Sequence, residues 1–156
     1  MITILCDTRE QQNTHITNRF NSARDTLILH KKLDFGDYSF IYDNMSYENK
    51  IVIERKSGLN ELALNFTKER DRFKREMLRA KEHEAIVILL IENAQLKDIE
   101  SHNYRSKFHP NAFIGSLRSW KEKYNLFPIF LENKNHSSLY IYNIFFKYLN
   151  SKKNII

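Results

Sequence analysis

Residues 51–58 read IVIERKSG: three β-branched residues, a glutamate, an arginine and a lysine, then a serine and a glycine. The apolar triplet has the composition of a buried strand. Side chains alternate along a strand, so Glu54 and Lys56 project from one face and Arg55 from the other. A carboxylate and an ammonium therefore stand side by side where the strand ends. One reading is a charged sheet edge, since a strand leaving the core must meet water and exposed ion pairs are common and weak. The other is a catalytic site.

The preceding stretch bears on that choice. LDFGDYSF (33–40) puts Asp37 after Gly36 at the start of a strand, and a connection through DNMSYENK (43–50) would lay that strand beside 51–55. Gly-Asp also suits a plain turn. If Asp37 does meet Glu54, the two carboxylates can hold Mg²⁺ or Mn²⁺, ions that prefer hard oxygen ligands and complete their shell with water and substrate phosphate. Lys56 then stands where charge develops on a scissile phosphate. That is the logic of metal-dependent phosphodiester hydrolysis, although an Asp, a gap and Glu-x-Lys form a weak pattern alone.

Strands are predicted at ITILC (2–6), TLILH (26–30), YSFIY (38–42) and IVI (51–53). Ile16 and Phe20 allow a short helix between the first two. Leu62, Phe66, Phe73, Met77 and Ala80 form one helical stripe, predicting a single helix over that span. AIVILLI (85–91) is continuously apolar, as in a central strand covered on both faces. Residues 92–109 read as a loop. Pro110 opens a helix carrying Phe113, Leu117, Trp120 and Tyr124, FPIFLE (127–132) reads as a last strand, and Ser137 or Ser138 caps a helix through Leu149 that is apolar nearly all round. Such a helix is buried or shared with a partner. The order predicts an α/β fold, a mixed central sheet flanked by helices on both sides, in one domain over residues 1–150.

The 156 residues are 42% apolar and 28% charged, with net charge +6 and a pI near 9.4. This suits a soluble protein with a polyanionic partner, DNA foremost. No apolar run is long enough to span a bilayer, and MITILCDTRE does not resemble a signal peptide. A cytoplasmic protein, in a bacterium or phage-infected cell, is expected, with no membrane partner and no small-molecule cofactor. Cys6 reads as a small buried hydrophobe, and the six histidines show no metal-ligand spacing.

DTRE (7–10), GDY (36–38) and IERKS (53–57) together resemble the XPF-type nuclease domain, a branch of the PD-(D/E)xK restriction-endonuclease-like superfamily. The resemblance runs over about residues 3–132, through ERDRFKREMLRA, AIVILLIEN and NAFIGSLRSWKEKYNLFPIFLEN. It implies a restriction-endonuclease-like fold, Asp37 and Glu54 as metal ligands, Lys56 as the catalytic lysine, and Arg55 as support for the site. Within the segment implied to lie at the active site, Asp7 is a candidate for metal or water, Arg9 for phosphate, and Glu10 a further catalytic candidate. Where the signature has an aspartate, this chain has Asn60. Either Glu61 substitutes for it or that carboxylate is dispensable, which leaves open whether one or two ions bind.

For DNA contacts the candidates are Arg72 on the charged helix and Tyr104, Arg105 and Lys107 in the 103–110 stretch, which equally suits a plain surface. The resemblance implies a metal-dependent DNA endonuclease acting at branched, flap or junction DNA. Its rivals are a non-catalytic DNA-binding scaffold of the same fold and a restriction-type enzyme that reads sequence. No helix-hairpin-helix domain is apparent, so junction recognition would draw on a homodimer, a partner protein or this domain alone. The Asn, Ile and Lys bias suggests a phage or mobile-element form.

Overall fold

Strand β5 (Ile51–Lys56) runs three residues past its apolar triplet, and all of it is buried, charges included. In chain order the structure, which describes residues 1–153 and is a computed structural model, contains β1 (Ile2–Cys6), α1 (Thr14–Ser22), β2 (Thr26–His30), β3 (Tyr38–Tyr42), β4 (Met45–Ser46), β5, α2 (Leu59–Phe66), α3 (Arg70–Glu82), β6 (Ile86–Glu92), α4 (Leu96–Glu100), α5 (Pro110–Tyr124), β7 (Leu126–Leu131), a 3₁₀ turn (Lys134–His136) and α6 (Ser137–Lys153). The sheet order is β2-β1-β3-β5-β6-β7, with β4 paired to β3. β1 and β2 are parallel, as are β5, β6 and β7, whereas β3 runs antiparallel to both β1 and β5. The carboxyl ends of β1, β5 and β6 and the start of β3 therefore share one edge, the edge at which open α/β sheets bind their ligands.

Two apolar layers sandwich the sheet. Val52, Val87 and Leu89 pack with Phe66, Phe73 and Trp120 on the side of α2, α3 and α5. Ile4, Phe40, Ile53 and Leu90 pack with Ile16, Phe20, Ile141 and Phe145 on the side of α1 and α6. β6 is covered on both faces, as its continuous apolar run implies. The alternation that sends Val52 one way and Ile51 and Ile53 the other also sorts the charges that follow: Glu54 and Lys56 toward α3, Arg55 toward α1 and α6.

Three expectations change. The predicted single helix from Leu62 to Ala80 is two, because the Thr67 N–H and hydroxyl bond back to the Leu64 and Ala63 carbonyls (3.2 and 2.8 Å) and close the first helix. The seven-residue step from Phe66 to Phe73 hides that break by keeping both side chains in one cluster. The predicted loop at 92–109 contains α4, fixed by a reciprocal cap between Gln95 and Asp98 and by buried Ile99. Finally, α6 is two-faced: Ile141, Phe145 and Leu149 are buried, while Leu139, Tyr140 and Phe146 are exposed. Among the described residues no helix is long and apolar enough to cross a membrane.

Gly36 sets the approach of the Asp37 turn to β5. Its φ is +77°, and a Cβ built there would lie 2.5 Å from the Cβ of Val52. Left-handed backbone and absent space act together. Gly36→Ala is predicted to cost on the order of 2–4 kcal/mol, measured as a shift in urea midpoint at unchanged slope.

Candidate active site

β3 and β5 share a ladder register at one pair, Tyr38 with Ile53, and side chains take over beyond it. The Asp37 N–H donates to the Ile53 carbonyl (2.7 Å), and its carboxylate Oδ2 accepts the Arg55 N–H (2.7 Å). At the other end the Ser39 hydroxyl donates to the Ile51 carbonyl (2.8 Å). Asp37 is thus fixed against β5 by backbone and side chain together, which brings it beside Glu54.

On the α3 side of β5, Glu54 is 5% exposed, and Lys56 Nζ donates to its Oε1 at 3.0 Å. Glu54 Oε2 is buried with no hydrogen-bond partner. The Lys56 ammonium lies 4.8 Å from the centre of the Phe73 ring, a favourable cation–π placement. Burial, and then the charge of Glu10, raises the Asp37 pKa; burial and then Asp37 raise that of Glu54. Burial alone would lower Lys56, but the carboxylates of Glu54 and Asp37 override it and raise its pKa, so the side chain is an ammonium at neutral pH. These residues line a cleft of about 470 Å³ that α3 borders with Arg72, Arg75 and Arg79. Sequence reading selects Arg72 alone. The spacing of three and four that gathers all three on one helix face was available, but nothing in the sequence says which face looks into the cleft.

On the opposite side, Arg55 makes a different centre. Its guanidinium donates to Glu10 (2.7 and 3.1 Å), to Glu92 (2.7 Å) and to the Gln11 carbonyl (2.7 Å). Glu92 also receives His15 Nε2 at 2.7 Å and the Ser137 hydroxyl. Burial would raise Glu92, but the bonds from Ser137, His15 and Arg55 hold it below the usual carboxylate range. This network ties the segment after β1 to α1, β5, β6 and α6. The sequence gives no sign of Glu92 or His15, because the pairing exists only once β5 and β6 lie in register.

The ERCC4 domain matches residues 6–144 of the chain. The chain belongs to the ERCC4 domain family. Two structures of XPF from Aeropyrum pernix share the fold at 18% identity: one covers 92% of this chain and 59% of that chain with TM-score 0.64, and the other, in complex with DNA, covers 98% and 66% with TM-score 0.70. The chain therefore spans roughly three fifths to two thirds of those structures' lengths. No curated protein matches it. The XPF-type resemblance and the mixed α/β fold drawn from it are borne out, and ERCC4 nucleases are generally dependent on a divalent metal.

Within this ERCC4 domain the other sequence candidates are placed as follows. Asp7, Arg9 and Glu10 do border the cleft. The Asp7 carboxylate, however, is taken up by the Arg9 side chain (2.9 and 3.2 Å), the Arg9 N–H (3.3 Å) and the Leu33 N–H (2.8 Å), so its contacts favour orienting Arg9 over binding metal. Glu10 is paired with Arg55. The 103–110 stretch does not line the cleft: the Tyr104 hydroxyl donates to the Phe108 carbonyl (2.6 Å), its ring packs on Phe113 and His102, and the Arg105 N–H donates to Asn60 Oδ1 (2.8 Å). Lys107 is exposed. Burial pushes the Cys6 thiol up to about 11, consistent with an inert core residue.

Among the described residues no group of three or more His, Cys, Asp or Glu is arranged to hold a metal by itself. The donor set nevertheless fits Mg²⁺ or Mn²⁺, ions commonly held by one or two carboxylates with water and phosphate completing the shell. The unpartnered Glu54 Oε2 beside Asp37 is the observation that carries this fit.

Two measurements follow. Arg55→Ala leaves Glu10 and Glu92 buried without their cation and should cost about 3–5 kcal/mol by chemical denaturation. Because Asp37 and Glu54 have folded pKa values raised above their unfolded ones, the stability they favour is fully present below the ordinary carboxylate range and is lost as pH rises through the raised values. In EDTA the Tm should fall between about pH 5 and about pH 8, and Asp37→Asn should flatten that slope.

Proposed function

We propose that this chain is a metal-dependent DNA endonuclease that hydrolyses phosphodiester bonds, acting at branched, flap or junction DNA. The single observation behind the reading is the buried, unpartnered oxygen of Glu54 held between Asp37 and Lys56 at the carboxyl edge of the sheet. ERCC4 membership supplies the nuclease class. A bound divalent ion would supply an activated water and neutralise charge on the phosphate, with Asp37 and Glu54 as its protein ligands. Lys56, held as an ammonium, serves as a fixed positive charge beside the scissile group and not as a base. Arg9, oriented by Asp7 with a largely exposed side chain, and the exposed Arg72 on α3 border the same cleft and serve to meet backbone phosphates. Arg55 positions the catalytic strand without touching substrate.

The XPF complex with DNA supports DNA as the polymer. Preference for branched DNA rests on the family alone. The test incubates the protein with labelled linear duplex, single strand, flap, fork and four-way junction in Mg²⁺ or Mn²⁺. Metal-dependent cutting of branched substrates is the expected result, with Glu54→Ala and Lys56→Ala each at least about 100-fold slower. Cutting of linear duplex at fixed sites would turn the reading to a sequence-specific enzyme. Binding without cutting would make the protein a scaffold.

A further inference from the structure

A third carboxylate enters the cleft from α3. Glu76 lies one helical turn from both Arg72 and Arg79, on the face turned to β5. Its Oε1 accepts the Gly36 N–H at 3.0 Å, one residue before Asp37. Its carboxyl also comes within hydrogen-bonding reach of the Glu54 carboxyl. Lys56 is bonded to Oε1 of Glu54, and Oε2 is left without a hydrogen-bond partner.

The charges that act most directly on Glu54 are those of Asp37, Lys56 and Glu76. Asp37, Glu54 and Glu76 carry three negative charges when ionised, against one from Lys56, which leaves a deficit that one divalent cation would neutralise. The arginines of α3 stand at the exposed mouth. The two residues at the position of the signature's aspartate are differently engaged. Asn60 does not line the cleft, and its Oδ1 accepts the Arg105 N–H. Glu61 is exposed, and its Oε2 accepts both the N–H and the hydroxyl of Ser57 (2.9 and 2.7 Å).

We infer that Glu76 is a third carboxylate of the divalent-ion site, acting from α3 through water in the shell of an ion held by Asp37 and Glu54. The inference rests on the metal-site reading above. It joins α3 to the site chemically as well as by packing. The helix that carries the phosphate-facing arginines also carries a group that holds the ion's water.

Calorimetric titration of the full chain with Mn²⁺ alone, without DNA, tests this, with the Tm of each variant in EDTA as the check on folding. Glu76→Gln keeps an oxygen acceptor for the Gly36 N–H, so its EDTA Tm should hold or rise, while its Mn²⁺ affinity should fall by about 10- to 100-fold. Glu61→Gln should bind as wild type does. Wild-type affinity in Glu76→Gln would overturn the inference, leaving a proton shared with Glu54 as the role of that contact, and so would a loss confined to Glu61→Gln. If the wild type binds no Mn²⁺, or Glu54→Gln binds as well as wild type, the metal-site reading itself fails, and this inference with it.

Discussion

A guanidinium buried at the end of β5 organises one whole edge of this protein. Arg55 offers five donors in a rigid plane, and Glu10 and the Gln11 carbonyl after β1, with Glu92 at the end of β6, accept four bonds from them. Its own backbone N–H is given to Asp37. One residue thus fixes the loop after β1, the end of β6 and the start of β3 relative to the strand that carries Glu54 and Lys56. Such a cluster is costly to desolvate and contributes little net stability over an apolar core. Its value is registry: the groups on the cleft side hold position because those on the far side are locked.

Strand alternation turns that arrangement into a division of labour. Arg55, facing α1 and α6, has every near neighbour compensated. Glu54 and Lys56, facing α3, are left with one buried oxygen unpartnered and with negative charge in excess. The compensated cluster and the uncompensated one are separated by the thickness of one strand, with no loop needed to keep them apart. The three adjacent charges that end an otherwise apolar strand are explained by this: they are buried to either side and do not mark a passage to solvent.

Much of this was legible beforehand, for identifiable reasons. Strands and long helices declare themselves by periodicity, and the alternation of residues 51–56 assigns Glu54, Arg55 and Lys56 to their faces without any tertiary information. Asp37 was reachable because Gly36 and a short connection placed its strand next to β5. What stayed hidden depends on distant packing. Glu92 and His15 matter only through β5–β6 register and the docking of α1. Glu76 was one charge among many on α3 until the helix's orientation was known. The break at Thr67 leaves no mark on the sequence because the apolar spacing continues across it. The 103–110 stretch, which offered an aromatic and two cations, spends its aromatic on packing.

The sheet's pairing between β3 and β5 narrows to one register position, with Asp37 and Ser39 standing in for the missing ladder. It is a seam between two sub-assemblies, β2-β1-β3 with α1 and β5-β6-β7 with α2 to α5. Asp37 belongs to the first and Glu54 to the second. Any species that grips both side chains is therefore a rivet across the seam, and its occupancy stabilises the closed arrangement of the halves. Under the proposed function the site exists only while that seam is closed, since halves that begin to separate pull the two carboxylates apart.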